Sequence, residues 1–413
     1  MKNNKTPELR FSGFINDWEQ RKLGEITDGV TRKNSKLEST LPLTISAQYG
    51  LIDQNTFFNK QVASRDMSRY YLIKNGEFAY NKSYSNDYPW GAIKRLDMYD
   101  QGVLSTLYIV FKPHNVDSNF LVTYYESDNW HREVSMRAAE GARNHGLLNI
   151  TAQEFFKTEL KIPANKNEQN KIGKFFKQLN NTIALHQQEL NKLKQTKQGF
   201  LQKMFPREGD SVPELRFPGF IGDWEQGKLG NLADFSKGNG YTKNELTYEG
   251  KPVILYGRLY TKYETVINSV DTFTIEKEKS VISEGNEVIV PASGETSEDI
   301  SRASVVAKPG IILGGDLNII RPYEKINPTF LALTISNGKQ QKELSKRAQG
   351  KSVVHLHNSD LKEVNLIFPK IDEQTKIGNF FIQFDETIVL HQRELEVLKE
   401  TKKAFLQKMF INT

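Results

Sequence analysis

The sequence predicts a mixed α/β protein: two similar α/β domains separated by a long antiparallel two-helix coiled coil, related by the pseudo-twofold symmetry of a tandem repeat. Two observations predict it. The chain opens with Pro7-Glu-Leu-Arg-Phe-Ser-Gly-Phe-Ile-Asn-Asp-Trp-Glu-Gln-Arg-Lys-Leu-Gly24 and opens again with Pro213-Glu-Leu-Arg-Phe-Pro-Gly-Phe-Ile-Gly-Asp-Trp-Glu-Gln-Gly-Lys-Leu-Gly230. Each copy then closes on a heptad helix ending in Phe-Leu-Gln-Lys-Met-Phe, at Phe200–Phe205 and at Phe405–Phe410. A period this long exceeds any solenoid repeat, so each copy is large enough to be a domain with its own core.

The opening motif comes first in each copy. Trp18 and Trp224 recur in it, which argues for a shared packing role. Short apolar runs bounded by turn residues then read as strands: Leu107–Phe111, Val288–Val290 and Leu317–Ile320. Segments 119–139 and 328–346 read as helices at the same place in each copy. Gly102-Val-Leu matches Gly310-Ile-Ile, and Phe111-Lys-Pro113 matches Ile320-Arg-Pro322, so the two domains are expected to share one fold. The loops between these anchors differ completely, as in 81–90 against 291–299.

Last in each copy is the heptad helix. Ile172, Phe176, Leu179, Ile183, His186, Leu190, Leu193, Lys197, Phe200 and Met204 follow alternating steps of four and three. Ile377, Phe381, Phe384, Ile388, His391, Leu395, Leu398, Lys402, Phe405 and Met409 repeat the phase without a slip. That pattern keeps a narrow apolar stripe on one face of a supercoiled helix. Pro163 and Pro369 block an earlier start, and Pro206 with Gly209 ends the first helix. Each helix would be roughly 58 Å long, a spacer. His186 and His391 fall mid-seam and read as a polar register-setting pair in preference to a metal or pH site. The four segments are 1–161, 162–206, 207–367 and 368–413.

Composition narrows the chemistry. The 413 residues contain no cysteine, which removes disulfides, thiolate ligands and a cysteine nucleophile, and fits a cytoplasmic protein. A polar N-terminus and the lack of a long apolar run lead us to expect neither export nor membrane insertion. Net charge +6 and a pI near 9.0 favour a polyanionic partner. Asn86-Asp-Tyr-Pro-Trp90 only superficially resembles an amino-methyltransferase loop, and Gly350-Lys-Ser352 lacks the first glycine of a phosphate loop because Ser345 stands there. His355-x-His357 would need a third ligand to hold a metal. No catalytic constellation stands out, and neither a catalytic nor a metal site is expected.

The doubled opening motif, together with two Glu-Gln-x-Lys-Ile-Gly-x-Phe-Phe heptad helices, resembles the specificity subunit of bacterial type I restriction-modification systems over the whole chain. The resemblance implies that segments 1–161 and 207–367 are target-recognition domains, each reading one half of a bipartite DNA target, and that the coiled coil sets the distance between the halves. It implies a non-catalytic subunit that binds no cofactor itself. Methyltransferase subunits would carry S-adenosylmethionine, and restriction (translocase) subunits, joined through them, would use ATP and Mg. Base contacts are expected from variable loops, because Arg and Lys can pair with guanine and Asn or Gln with adenine. The candidates are Lys82, Tyr84, Asn86, Arg143, Asn144 and His145 in the first domain, and Tyr241, Lys243, Arg258, Ser293, Arg302, Lys351 and His357 in the second. A non-catalytic scaffold for two protein partners is the alternative, and steep salt dependence of DNA binding would separate the two readings.

Overall fold

The structure is a computed structural model that describes residues 5–46, 49–85, 88–138, 147–297, 299–350 and 353–411. It divides into two compact units, one of residues 1–186 with 395–413, the other of residues 187–394. Each long helix, Lys166–Lys203 and Ile371–Lys408, therefore contributes one part to each unit. No helix among the described residues is long and apolar enough to cross a membrane.

In the first unit the opening strand Trp18–Lys22 pairs antiparallel with Glu159–Pro163, the strand that leads into the long helix. The main sheet has the order Thr27–Gly29, Ile109–Pro113, Phe78–Asn81, Ala92–Arg95. In the second unit Glu225–Lys228 pairs with Asn365–Phe368 in the same way. Its main sheet runs Ala233–Lys237, Leu317–Pro322, Glu287–Pro291, Ser304–Val306, with Val266–Ile267 added at the edge. The corresponding strands come in the same spatial order, so the two main sheets share one strand order, as the matched anchors predict, while the smaller sheets beside them differ. Central strands are apolar without alternation, as in Phe78-Ala-Tyr80 and Val288-Ile-Val290, because both sheet faces are covered.

The expected strand at Leu107–Phe111 lies two residues later, at Ile109–Pro113, and Leu107 is exposed. Each expected domain helix is also broken in two: Ser118–Glu126 then His131–Arg137, and Pro328–Ile335 then Gly338–Arg347. A serine sits at each break and takes over backbone groups. Ser127 Oγ donates to Tyr124 O at 2.7 Å, and Ser336 Oγ accepts from Ala303 N at 2.8 Å. The first halves start on matched caps, where Asp117 accepts from Phe120 N (2.9 Å) and Asn327 from Phe330 N (3.1 Å).

The Glu-Gln-x-Lys-Ile-Gly run of each long helix fastens that helix to its domain residue by residue. Glu168 and Glu373 are buried in fork-shaped pairs with Arg10 and Arg216 of the opening motifs, with N–O distances of 2.6 and 2.7 Å in both. Gln169 accepts from Asp117 N at 2.8 Å and donates to Pro163 O, and Gln374 does the same with Asn327 N and Pro369 O. Ile172 and Ile377 enter the cores. Gly173 is required by contact, since a Cβ there would lie 2.6 Å from Phe120 N.

The far end of each helix completes the unit that holds the other helix's beginning. Met409, Phe410 and Ile411 lie in the first unit's core, where Phe410 meets Trp18, Phe120, Tyr124 and Phe176. Leu201, Met204 and Phe205 lie in the second unit's core, where Phe205 meets Trp224, Phe330 and Phe381. Phe175 packs edge-on against Phe405 in one unit, and Phe200 against Phe380 in the other. Start meets end in both units, so the helices run antiparallel. All the predicted seam residues are buried or half-buried, His186 and His391 among the half-buried.

The seam lysines are neutralised differently in the two units. Lys402 pairs with Glu126 at 2.9 Å, and Asn180 donates to the same carboxylate. Lys197 instead pairs with Asp385, the residue that matches Asn180 in the repeat, and Asp385 also accepts from Thr265.

Candidate nucleic-acid interface

In both units the chain leaving the central strand forms a short antiparallel pairing with the segment that runs toward the last domain helix. In the first unit this is the bridge Ser83 to Leu147, and in the second it is Ser293–Gly294 against Val354–His355. The flanking strand is the most buried in each sheet, so this pairing is a firm base for the loops that extend from it. Gly91 and Gly350 allow the close turns, with φ of +78° and +141°; a Cβ would lie 2.2 Å from Asn81 O at Gly91 and 1.9 Å from Val353 O at Gly350.

The first unit brings Lys82 and Tyr84 beside the segment that follows Arg143, Asn144 and His145. Lys82 O accepts from Leu148 N at 2.9 Å, and its ammonium reaches Ile150 O at 3.3 Å. Burial lowers the Lys82 pKa. Tyr84 is half-buried and packs on the core. Asn86, Arg143, Asn144 and His145 lie outside the described residues, as does Lys351 in the second unit.

In the second unit the candidates separate into three kinds of environment. Ser293 is buried on the short pairing, its hydroxyl 3.3 Å from His355 Nδ1 and its carbonyl accepting from Tyr260 OH. Arg302, half-buried, is bound to Asp299 at 2.5 Å and lies 6.0 Å over the Tyr263 ring. His357 is exposed and N-caps the helix Asn358–Lys362, its ring parallel to that of His355 at 6.4 Å. The Asp360 three residues on, which closes that capping box, was the available signal for the structural role.

Two candidates are sequestered. Tyr241 is buried, bonded through its hydroxyl to Ser280 and Lys277 N, with the Lys277 ammonium 4.5 Å over its ring. Arg258 has a side chain only 8% exposed, held by Glu264 and Asp271 at 2.7 Å each and by Ser269 O. Asp271, bonded to Lys262 and Arg258, has its pKa lowered to about 2. These side chains shape the loops and have little free surface for a groove. Lys243, at the start of a short 3₁₀ turn, is exposed.

Sequence reasoning missed one exposed group in the first unit. Phe57 and Phe58 end a short helix capped by Asp53, and their rings meet edge to face at 5.0 Å, each residue a little under half exposed. Lys60, Arg65 and Arg69 follow, all exposed. The signal was an aromatic pair inside an otherwise polar, basic run. Cations beside exposed aromatic faces can contact both phosphates and bases.

A family model described as the type I restriction modification DNA specificity domain matches residues 15–195 and again 221–400. The chain is 21% identical over 317 residues to the type I restriction enzyme MjaVIII specificity subunit of Methanocaldococcus jannaschii, an alignment covering 74% of this chain and 73% of that one. Its fold is similar to that of the type I restriction-modification S subunit from M. genitalium, with a TM-score of 0.62, 16% identity, and coverage of 99% of this chain and 100% of that one. It is also similar to a chain from a structure titled for complex assembly and conformational transition of the type I R-M system, with a TM-score of 0.53, 18% identity, and coverage of 95% and 97%. At these identities the structural likeness speaks for the fold.

Proposed function

The chain belongs to the family of type I restriction-modification DNA specificity domains, and from this we propose that it selects the DNA target of such a system, each domain reading one half of a bipartite site. The observation that carries the reading is the doubled family match over two units whose main sheets share one strand order and whose loops share nothing. A repeated frame with divergent loops suits one task performed on two sequences.

Recognition divides into phosphate contacts that position and groove contacts that specify. The reading assigns base or phosphate contact to the exposed candidates Lys243 and His357, to the half-buried Arg302, and to Asn86, Arg143, Asn144, His145 and Lys351. Lys82, Tyr84 and Ser293 sit at the base of those loops, while Tyr241 and Arg258 hold loop shape. Phe57, Phe58, Lys60, Arg65 and Arg69 join the first domain's contact set.

On this reading the chain is non-catalytic and binds no cofactor of its own. Methyltransferase subunits dock on it with S-adenosylmethionine, and restriction subunits that use ATP and Mg join through them. The test is duplex-DNA affinity of the assembled complex as a function of salt. With six or more phosphate contacts, affinity falls by about 10³ or more between 50 and 200 mM salt. An affinity indifferent to salt would favour a protein scaffold.

A further inference from the structure

Two residues beyond the pairing serine of each domain lies a position that is exposed in both units and chemically different in each. Ser83 and Ser293 make the short pairing, and Ser85 and Glu295 follow them on the loop. Residues with a packing role recur at matched positions, as Trp18 and Trp224 do. An exposed side chain that changes on a recurring base is what readout of two different sequences requires.

The backbone that presents Glu295 is fixed on both sides. Before it, Ser293 O accepts from Tyr260 OH at 2.7 Å, and Gly294 packs so close that a Cβ there would lie 2.8 Å from the same hydroxyl. After it, Thr296 Oγ1 donates to Asp299 Oδ2 at 2.7 Å and accepts from Asp299 N at 3.1 Å, and Ile300 N donates to Thr296 O at 3.2 Å. Glu295 itself is exposed, and among the described residues its carboxylate has no hydrogen-bond or ion-pair partner. A side chain on a loop already ordered in this way loses little backbone entropy when it binds.

The charge of the loop indicates what it contacts. Segment 293–302 holds Glu295, Glu298 and Asp299 against one cation, Arg302, and that cation is already bound to Asp299. Across the short pairing His355 meets the Ser293 hydroxyl, His357 caps a helix, and Lys351 lies outside the described residues. A carboxylate beside DNA is repelled by the phosphates, so it binds only where a base offers an amine. In the major groove cytosine presents its N4 amine, and glutamate accepts from it. Adenine also presents an amine, but beside the N7 acceptor, which repels a second acceptor.

We propose that Glu295 is a specificity-determining residue of the second domain, its carboxylate accepting from the N4 amine of one cytosine in the major groove, a proposal that rests on the family-based reading above. The test uses the full chain assembled with the methyltransferase encoded with it. Affinity is read for duplexes changed one base pair at a time through both half-sites. The wild-type complex prefers C·G by about ten-fold at one position of one half-site. Glu295→Ala abolishes that preference and leaves every other position, and the whole of the other half-site, as in the wild type. Glu295→Gln raises the affinity for A·T over C·G at that position, because an amide pairs with adenine. Circular dichroism and melting are unchanged in both variants, since the side chain is exposed. An alanine variant that keeps the wild-type preference at every position, or that weakens all duplexes equally, overturns the assignment of Glu295 alone. A wild-type complex without sequence preference in either half-site overturns the underlying reading as well.

Discussion

Glu168 and Glu373 are carboxylates with almost no exposure, and each is tolerated there because a guanidinium meets it fork to fork. Removing one partner of a buried pair leaves an uncompensated charge. Arg10→Ala is therefore expected to destabilise the first unit by ~3–5 kcal/mol, and urea unfolding followed by tryptophan fluorescence measures it. Trp18, Trp90 and Trp130 report on that unit, and Trp224 on the other. A loss seen equally by Trp224, or no loss, would contradict the assignment. Both partners stand in repeated motifs, so their importance was legible, but their pairing was not: it joins residues 158 apart in sequence. Shorter-range partners of two loop candidates were equally hidden. Arg258 looked available for a base until folding delivered Glu264 and Asp271 to it. Tyr241 looked like a loop aromatic until its ring was found in a small core with Val253 and Ile312.

Among the elements, the long helices were the most legible, because a seam of alternating four and three survives any tertiary context. What the seam did not reveal was the task of the helix tips. Phe-Leu-Gln-Lys-Met-Phe reads as two more heptad positions, yet it supplies core residues to the unit other than the one in which its own helix began. The opening motif then caps each tip from outside, with Leu9 N donating to Lys408 O and Leu215 N to Lys203 O, both at 2.8 Å. This predicts that Phe410→Ala weakens the first unit by ~3–5 kcal/mol and that Phe205→Ala weakens the second by a similar amount, again resolved by the two sets of tryptophans. Phe410→Ala leaving the first unit's unfolding midpoint unchanged would show that the tip is a mere extension of the rod. The domain helices were over-read as single long segments, since a serine that competes for backbone hydrogen bonds carries only a weak signal.

At the scale of the whole molecule, the repeat separates what is constant from what varies. Buried ion pairs, glutamine clamps, helix caps and aromatic tips recur in both units, whereas the segments around residues 82–90 and 293–302 share neither length nor chemistry. A frame of this kind can carry new loops without refolding, which is how two different half-sites could be read by one topology. The measurement that tests this most directly is methylation mapping by long-read sequencing of DNA from cells that express the chain with its methyltransferase, and with its first-unit loops exchanged. The expected result is adenine methylation at one split motif, present only when both proteins are expressed, with the exchange altering one half of the motif and sparing the other. An unsplit motif, a change in both halves, or no motif from a folded protein with an active partner would contradict it.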